Sequence, residues 1–406
     1  MFSNEIDTLT PIINRFLSVD DITLGDSKSP YLVRYRGLLR MDSAEAYDQL
    51  AELLHQRNIT PLFRKEGNRH VIFLTSGVAK ERKPKLWLNL LLILLTILSV
   101  FWVGILHAVS WEMTGVTSLD LNSLKPHLPS IILGAMAFTA SLLGILMAHE
   151  FGHYLIGRKN GAQVTLPYFL PMPFPPFGTL GAFISLHSPP KNKRVLLDLS
   201  LAGPLSGLIV AVPVLILGLS LSRMNTLPGS LEEAQGLILE GNSILYLGLK
   251  YLVFGRLLPE PMNYGGMPPL LYWLRYFFTG SPFPFGGTDV MIHPVAMAGW
   301  AGILVTALNL IPAGQLDGGH LMYVLAGKRT NSLLPFILGG LVLLGVVWNG
   351  WWLWAFLIFL FGRMHAEPLD QITELDAPRR MLALIGLIVF ILVFTPVPML
   401  SIGAGF

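Results

Sequence analysis

The chain has no cysteine and very little charge. The first absence excludes disulfides, thiolate zinc sites and cysteine nucleophiles, so any metal must be held by His, Asp or Glu. The second says more. Charged residues fill 13% of the 406 positions and hydrophobic ones 52%, about half the usual charged fraction of a soluble domain. The shortage is uneven: residues 1–85 hold 24 of the 53 Lys, Arg, Asp and Glu residues, leaving 29 for the other 321. So few charges cannot wet a surface that large, which excludes a water-soluble enzyme for that part. A net charge of +3 without a basic, aromatic-interleaved stripe excludes nucleic acid as a partner. Met1 to Thr10 carries Glu5 and Asp7 and no apolar run, so it reads as neither a signal peptide nor a transit peptide.

Residues 1–80 read as a small soluble α+β domain. Tyr31 to Leu39 has the pattern of a strand, and Asp42 to Arg57 that of an amphipathic helix with Ala46, Leu50, Leu53 and Leu54 on one face. Short strands over Ile59 to Phe63 and His70 to Thr75, around a turn at Glu66, Gly67 and Asn68, complete a β-α-β-β order. No catalytic constellation appears in it, and a regulatory or docking module is the expected role.

Lys80 to Lys85 form a basic stop, and residues 86–406 read as a transmembrane unit. Runs long enough to cross a bilayer lie at 86–109, 131–157, 196–221, 290–311, 332–363 and 381–400. The fifth is interrupted by Trp348, Asn349, Gly350 and Trp351, giving six or seven spans. Stretches 244–254 and 270–278 are too short to span and are expected to be interfacial or re-entrant. With Lys80 to Lys85 in the cytosol, ten of the later Lys and Arg residues fall inside. Five fall outside: Lys125, Arg223, Lys250, Arg256 and Arg275. The expectation is a multi-pass protein of a bacterial plasma membrane, with an organellar membrane as the open alternative, its N-terminal domain and active-site opening both toward the cytosol.

The second run contains His149, Glu150, Phe151, Gly152 and His153, an H-E-x-x-H. On a helix, side chains four apart share a face, so both imidazoles can reach one metal. A zinc ion there would bring the pKa of a coordinated water to about 7 while Glu150 moves its proton. Three ionisable groups in hydrocarbon are costly unless paired or metal-bound, which favours a functional site. A catalytic zinc has a third protein ligand, and Asp317, after the fourth run and at the same end of the membrane, is the candidate. His320 is a further ligand, a donor behind the ligands or merely an interfacial residue; His187 and His293 read as structural.

These residues resemble the site-2 protease family of intramembrane metalloproteases. The resemblance rests on three motifs in order. They are the H-E-x-x-H in a span, Gly178-Thr179-Leu180-Gly181-Ala182-Phe183-Ile184, and Asn309-x-x-Pro312-x-x-x-x-Asp317-Gly318. It covers roughly residues 131–320 and is similar to the plant chloroplast branch, which carries no PDZ domain. The resemblance implies one zinc ion per chain held by His149, His153 and Asp317, with Glu150 as general base. It also implies hydrolysis of transmembrane segments of single-span proteins already trimmed by another protease, with Asn309 binding substrate or transition state. The Gly- and Pro-rich 223–289 segment, lacking a strand series, departs from relatives with a PDZ domain between spans.

A peptide bond in a helix is shielded, so a protease must receive it as extended chain, and an exposed strand edge does this by backbone pairing. Five prolines between Pro167 and Pro176 forbid a regular helix, and the stretch after them suits a strand. The expected element is a re-entrant β-hairpin beside the metal, with Gly178 to Leu186 as docking edge. Gly203 to Gly207 read as a small-residue packing stretch in the third span. Two rival readings are weighed against this one. Membrane zinc peptidases that trim prenylated tails take a downstream glutamate as third ligand, and no Glu lies between Glu260 and Glu367. A zinc transporter or silent scaffold has no need of a base at position 150.

Overall fold

The computed structural model describes residues 2–26, 28–78, 85–114, 121–362 and 367–402. The basic stop from Lys80 to Pro84, and Arg363 of the inward set, lie outside the described residues. The N-terminal part consists of α1 (Phe2–Ile13), β1 (Leu17–Leu24), β2 (Val33–Leu39), α2 (Ser43–His55), β3 (Ile59–Glu66) and β4 (Arg69–Ser76). The strands form one antiparallel sheet in the order β1-β2-β4-β3. Alternate residues such as Tyr35, Phe63 and Ile72 bury against Leu9, Ile13, Leu50 and Leu54 of the two helices. The expected strands and helix are present, and α1 and β1 add to them. β1 escapes period-two reading because its pairing shifts between Val19 and Asp21, which breaks the alternation.

Next come α3 (Leu86–Glu112), α4 (Leu121–Leu124), α5 (Leu128–Lys159), β5 (Tyr168–Pro171), β6 (Thr179–Phe183) and α6 (Lys193–Leu221). Three helical stretches, Leu86–Glu112, Asn122–Lys159 and Lys193–Leu221, are long and apolar enough to cross a membrane. Their outward residues are large and apolar, including Leu90, Leu133 and Ile209, each about 70% exposed. Such surface is stable only in lipid, so the chain is an integral membrane protein.

The remainder is built of shorter pieces: β7 (Arg223–Thr226), β8 (Ile238–Glu240), α7 (Ile244–Phe254), α8 (Pro269–Thr279), β9 (Thr288–Met291), α9 (Pro294–Asn309), α10 (Asp317–Ala326), α11 (Thr330–Gly345), α12 (Gly350–Phe361), α13 (Ala377–Val393) and β10 (Met399–Ser401). The fifth apolar run is divided, as its Asn-Gly break implies, between α11 and α12. The 223–289 segment does contain strands: β7 pairs with β9, and β8 with β10. They are too short and too far apart in sequence for a strand pattern to show. Lys250, counted among the outward basic residues, is fully buried, with Nζ 3.8 Å from Asp289 and 4.0 Å from Glu240.

The N-terminal part is fastened to the rest through residues 369–373. Phe63 of β3 donates to the Leu369 carbonyl and accepts from Gln371 N, while Asp370 N donates to the Lys191 carbonyl just before α6. The Asp370 carboxylate is fully buried. It accepts from Ser43 Oγ at 2.9 Å, from Ile372 N at 2.8 Å, and from the Thr373 amide and hydroxyl. Burying that carboxyl group is tolerated because its oxygens are so fully engaged.

Candidate metal centre

α5 carries His149 and His153 one turn apart, both buried, and α6 packs along that face. The approach is close because α6 is bare where the imidazoles lie. A Cβ on Gly203 would stand 2.0 Å from His153 Nε2, and one on Gly207 3.2 Å from His149 Cβ. The small-residue stretch of the third span is thus the cradle of the two histidines. His153 Nδ1 lies 2.8 Å from the Leu199 carbonyl of α6. That bond makes Nδ1 the donor and leaves the Nε2 lone pair facing inward. α6 is itself pinned by Asp198, which takes a two-point ion pair from Arg379 of α13 at 2.9 and 2.7 Å.

Asp317 opens α10, where a carboxylate suits the positive end of the helix. Two glycines let that first turn fold back on the preceding loop: a Cβ on Gly318 would meet the Leu310 carbonyl at 2.0 Å, and one on Gly319 the Gly314 carbonyl at 2.4 Å. The result brings Asp317 Oδ2 to 3.6 Å from His149 Nε2 and 3.3 Å from His153 Nε2, the two nitrogens being 3.2 Å apart. Four ligands at about 2.0–2.1 Å around a tetrahedral ion stand about 3.3 Å from one another. The triangle therefore fits three of the four corners around one such ion. Among the described residues, these three form the His and carboxylate group able to hold a metal.

The triangle lies in a cavity of about 570 Å³ that Glu150, Asn309, Gln315, His320 and the stretch Ala182 to Leu186 also line. Glu150 is buried beside its neighbour His149, and Asn309 Nδ2 is 3.3 Å from His149 Nε2. β5 and β6 form a two-stranded hairpin, so among the described residues one edge of β6 pairs with no strand. Of its expected docking residues, Ala182, Phe183 and Ile184 reach the cavity. Gly178, Thr179, Leu180 and Gly181 are not among its lining, and Gly178 lies with its backbone against Val100 of α3. Gln315 was not singled out in the sequence; it sits two residues before Asp317, and that adjacency is its one signal. His293 caps α9 by accepting from Val295 N and stands apart from the cavity.

A family model described as Peptidase family M50 matches residues 137–341, which contain all three residues of the triangle. The chain belongs to peptidase family M50. The resemblance to site-2 proteases and to their plant chloroplast branch is thereby borne out. Similar proteins include "Probable zinc metalloprotease EGY1, chloroplastic" of Arabidopsis thaliana, 28% identical over 82% of this chain and 58% of the relative. The EGY2 protein of that description from Oryza sativa subsp. indica is 30% identical over 60% of this chain and 38% of its own length. The rice EGY3 protein is 26% identical over 94% and 62%. This M50 chain therefore spans about half the length of the curated relatives it matches. No solved structure gives a significant match.

Proposed function

We propose that this M50 protein is a zinc-dependent intramembrane endopeptidase. It hydrolyses peptide bonds in or near the transmembrane segments of single-span proteins that another protease has first trimmed. The observation that carries the reading is the convergence of His149, His153 and Asp317 on one point beside a buried Glu150 and the free edge of β6. His149, His153 and Asp317 would hold the zinc, which would supply Lewis-acid chemistry to the scissile carbonyl and the attacking water. Glu150 accepts the proton of the attacking water and returns it to the leaving amine. Asn309, beside His149, offers an amide N–H to the carbonyl oxygen as it gains charge. The Leu199 carbonyl keeps the His153 proton on Nδ1 throughout.

The hairpin supplies extended chain at membrane depth. α3 holds it along most of its length: Asn89 Nδ2 donates to the Pro167 carbonyl, Ser99 Oγ to that of Gly178, and His107 Nε2 lies 2.7 Å from that of Pro176. Asn89 and His107 are about 27 Å apart along the helix, close to the thickness of a bilayer core. This supports a re-entrant hairpin, with a substrate strand pairing to Gly178–Leu186. Residues 1–80 and 86–406 are read as a soluble and a membrane unit. Their separate buried clusters support the division, although Leu369 and Ile372 of the second pack on the first. The six or seven crossings of the sequence reading include the shorter apolar helices α9, α11 and α12. The basic residues at the metal end favour a cytosolic opening.

Glu150→Gln separates catalysis from binding. Zinc is expected to stay at about one per chain while cleavage of a reporter membrane segment falls at least a hundredfold, the lower end for a lost general base. Undiminished cleavage would overturn the assignment, and a metal-free wild-type protein would overturn the zinc reading.

A further inference from the structure

A second cavity of about 550 Å³ lies at the opposite end of α9 from the metal, within the size range of ligand and peptide sites. His107 and Trp111 of α3, Met297 and Trp300 of α9, Met399 of β10 and strands β7, β8 and β9 line it. Two features suit it to an extended peptide. The first is the edge of β8 turned away from β10, where no strand pairs among the described residues. Leu237 and Gly241 bond to the residues flanking β10, through Ile402 N and the Pro398 carbonyl. In an antiparallel ladder the alternate residues turn the other way. Ile238 and Glu240 therefore point their backbone groups away from β10, and both line the cavity. The second is its wall of tryptophan and methionine, which moulds to large apolar side chains. Glu240 and Asp289 line the cavity and, among the described residues, no Lys or Arg does, Lys250 being fully buried 4.0 and 3.8 Å from those two, so an acidic side chain finds no cationic partner there.

The β5–β6 hairpin joins this cavity to the metal. Its tip is held there: the Pro176 carbonyl is 2.7 Å from His107 Nε2, and the Phe177 ring lies 6.2 Å from that of Trp300. Its other end, Ala182 to Leu186, lines the metal cavity. From Met297 to Asn309 along α9 is about 18 Å. From Gly178 to Ile184 as extended chain is about 20 Å. The two paths agree in length, so a strand laid on β6 with one end at the metal has its other end at the second cavity.

We infer that the far cavity is a second substrate subsite, which takes an extended segment with a large apolar, non-acidic side chain about six residues from the scissile bond. Chain bound there is aligned on β6 before the bond reaches the metal, so the site acts on substrate binding. This rests on the peptidase reading above, and the test separates the two.

Full-length enzyme in proteoliposomes is given two reporters with one cleavage site. In one, the half leading away from the metal end stops four residues from the scissile bond; in the other it continues for ten. The long reporter is expected to show a KM at least tenfold lower with kcat little changed. Asp in place of its sixth residue should abolish that advantage. Met297→Trp, which fills the cavity, and Ile238→Pro, which removes an outward amide, should each bring the two KM values together. If a variant does not fold, a photo-crosslinking side chain at Met399 decides instead, by capturing the long reporter and not the short. Equal KM values for wild type, an advantage that survives both variants, or no capture at Met399 would overturn the inference and leave the peptidase standing. Failure to cleave either reporter would sink the peptidase reading, and the subsite with it.

Discussion

Gly203 and His153 are in contact with no room between them: a β-carbon on the glycine would sit 2.0 Å from Nε2, the atom turned toward the metal position. The imidazole is held between the bare backbone of α6 on one side and the Leu199 carbonyl of the same helix on another. α6 thus sets the position of an imidazole that α5 carries. Asp317, from a third helix, completes the triangle.

Gly203→Ala is the direct test of that contact. The ring is rigid and cannot yield, so either His153 leaves its position or α6 moves off α5. Zinc affinity is expected to fall about 10–100-fold, the usual cost of disturbing the support of a ligand, with cleavage lost in proportion. Gly207→Ala, whose Cβ would meet His149 at 3.2 Å, should do less. Metal content after dialysis against a graded chelator measures both; equal retention in the two variants would show that the cradle has slack.

Asp317→Ala leaves two imidazoles and no carboxylate. The remaining pair is expected to lose zinc to a chelator that wild type resists, and cleavage should disappear. In wild type, prolonged chelation should abolish cleavage and added zinc restore it. Full activity of Asp317→Ala would mean that another group closes the coordination.

Proline along the hairpin tests docking. Ala182→Pro removes an amide of β6 where the strand borders the metal cavity. Zinc should remain near one per chain while KM for a membrane reporter rises at least tenfold. A proline variant with unchanged zinc and unchanged kinetics would remove β6 from substrate binding.

Asp370→Ala tests the attachment of the N-terminal part. It strands the Ser43 and Thr373 hydroxyls and two amides that now share one buried carboxylate. Hydrogen bonds to a charged group contribute about 1.5–3 kcal/mol each. The expected result is a detached N-terminal part, seen as faster limited proteolysis between residues 77 and 85, with zinc content kept. Unchanged proteolysis would show that β3 alone secures it.

Much of the local structure was legible. Apolar runs gave the long helices, period-two alternation gave β2, β3 and β4, and the Asn-Gly break gave the division between α11 and α12. The H-E-x-x-H placed two imidazoles on one face because helical spacing alone requires it. What stayed hidden had no periodicity. β1 is bulged, the pairs β7–β9 and β8–β10 join residues far apart in sequence, and Lys250 looks like any basic residue until Glu240 and Asp289 enclose it.

By itself the sequence determined the kind of solvent this chain needs, the helices it forms and the residue types able to bind a metal, because hydropathy and spacing act within one segment. Only the tertiary structure decided that Asp317 meets His149 and His153, that Gly203 clears a place for one imidazole, and that a hairpin links two cavities. Those are distances between segments more than a hundred residues apart or on separate helices. They are set by how close two backbones can pack, and no periodicity within a segment encodes that.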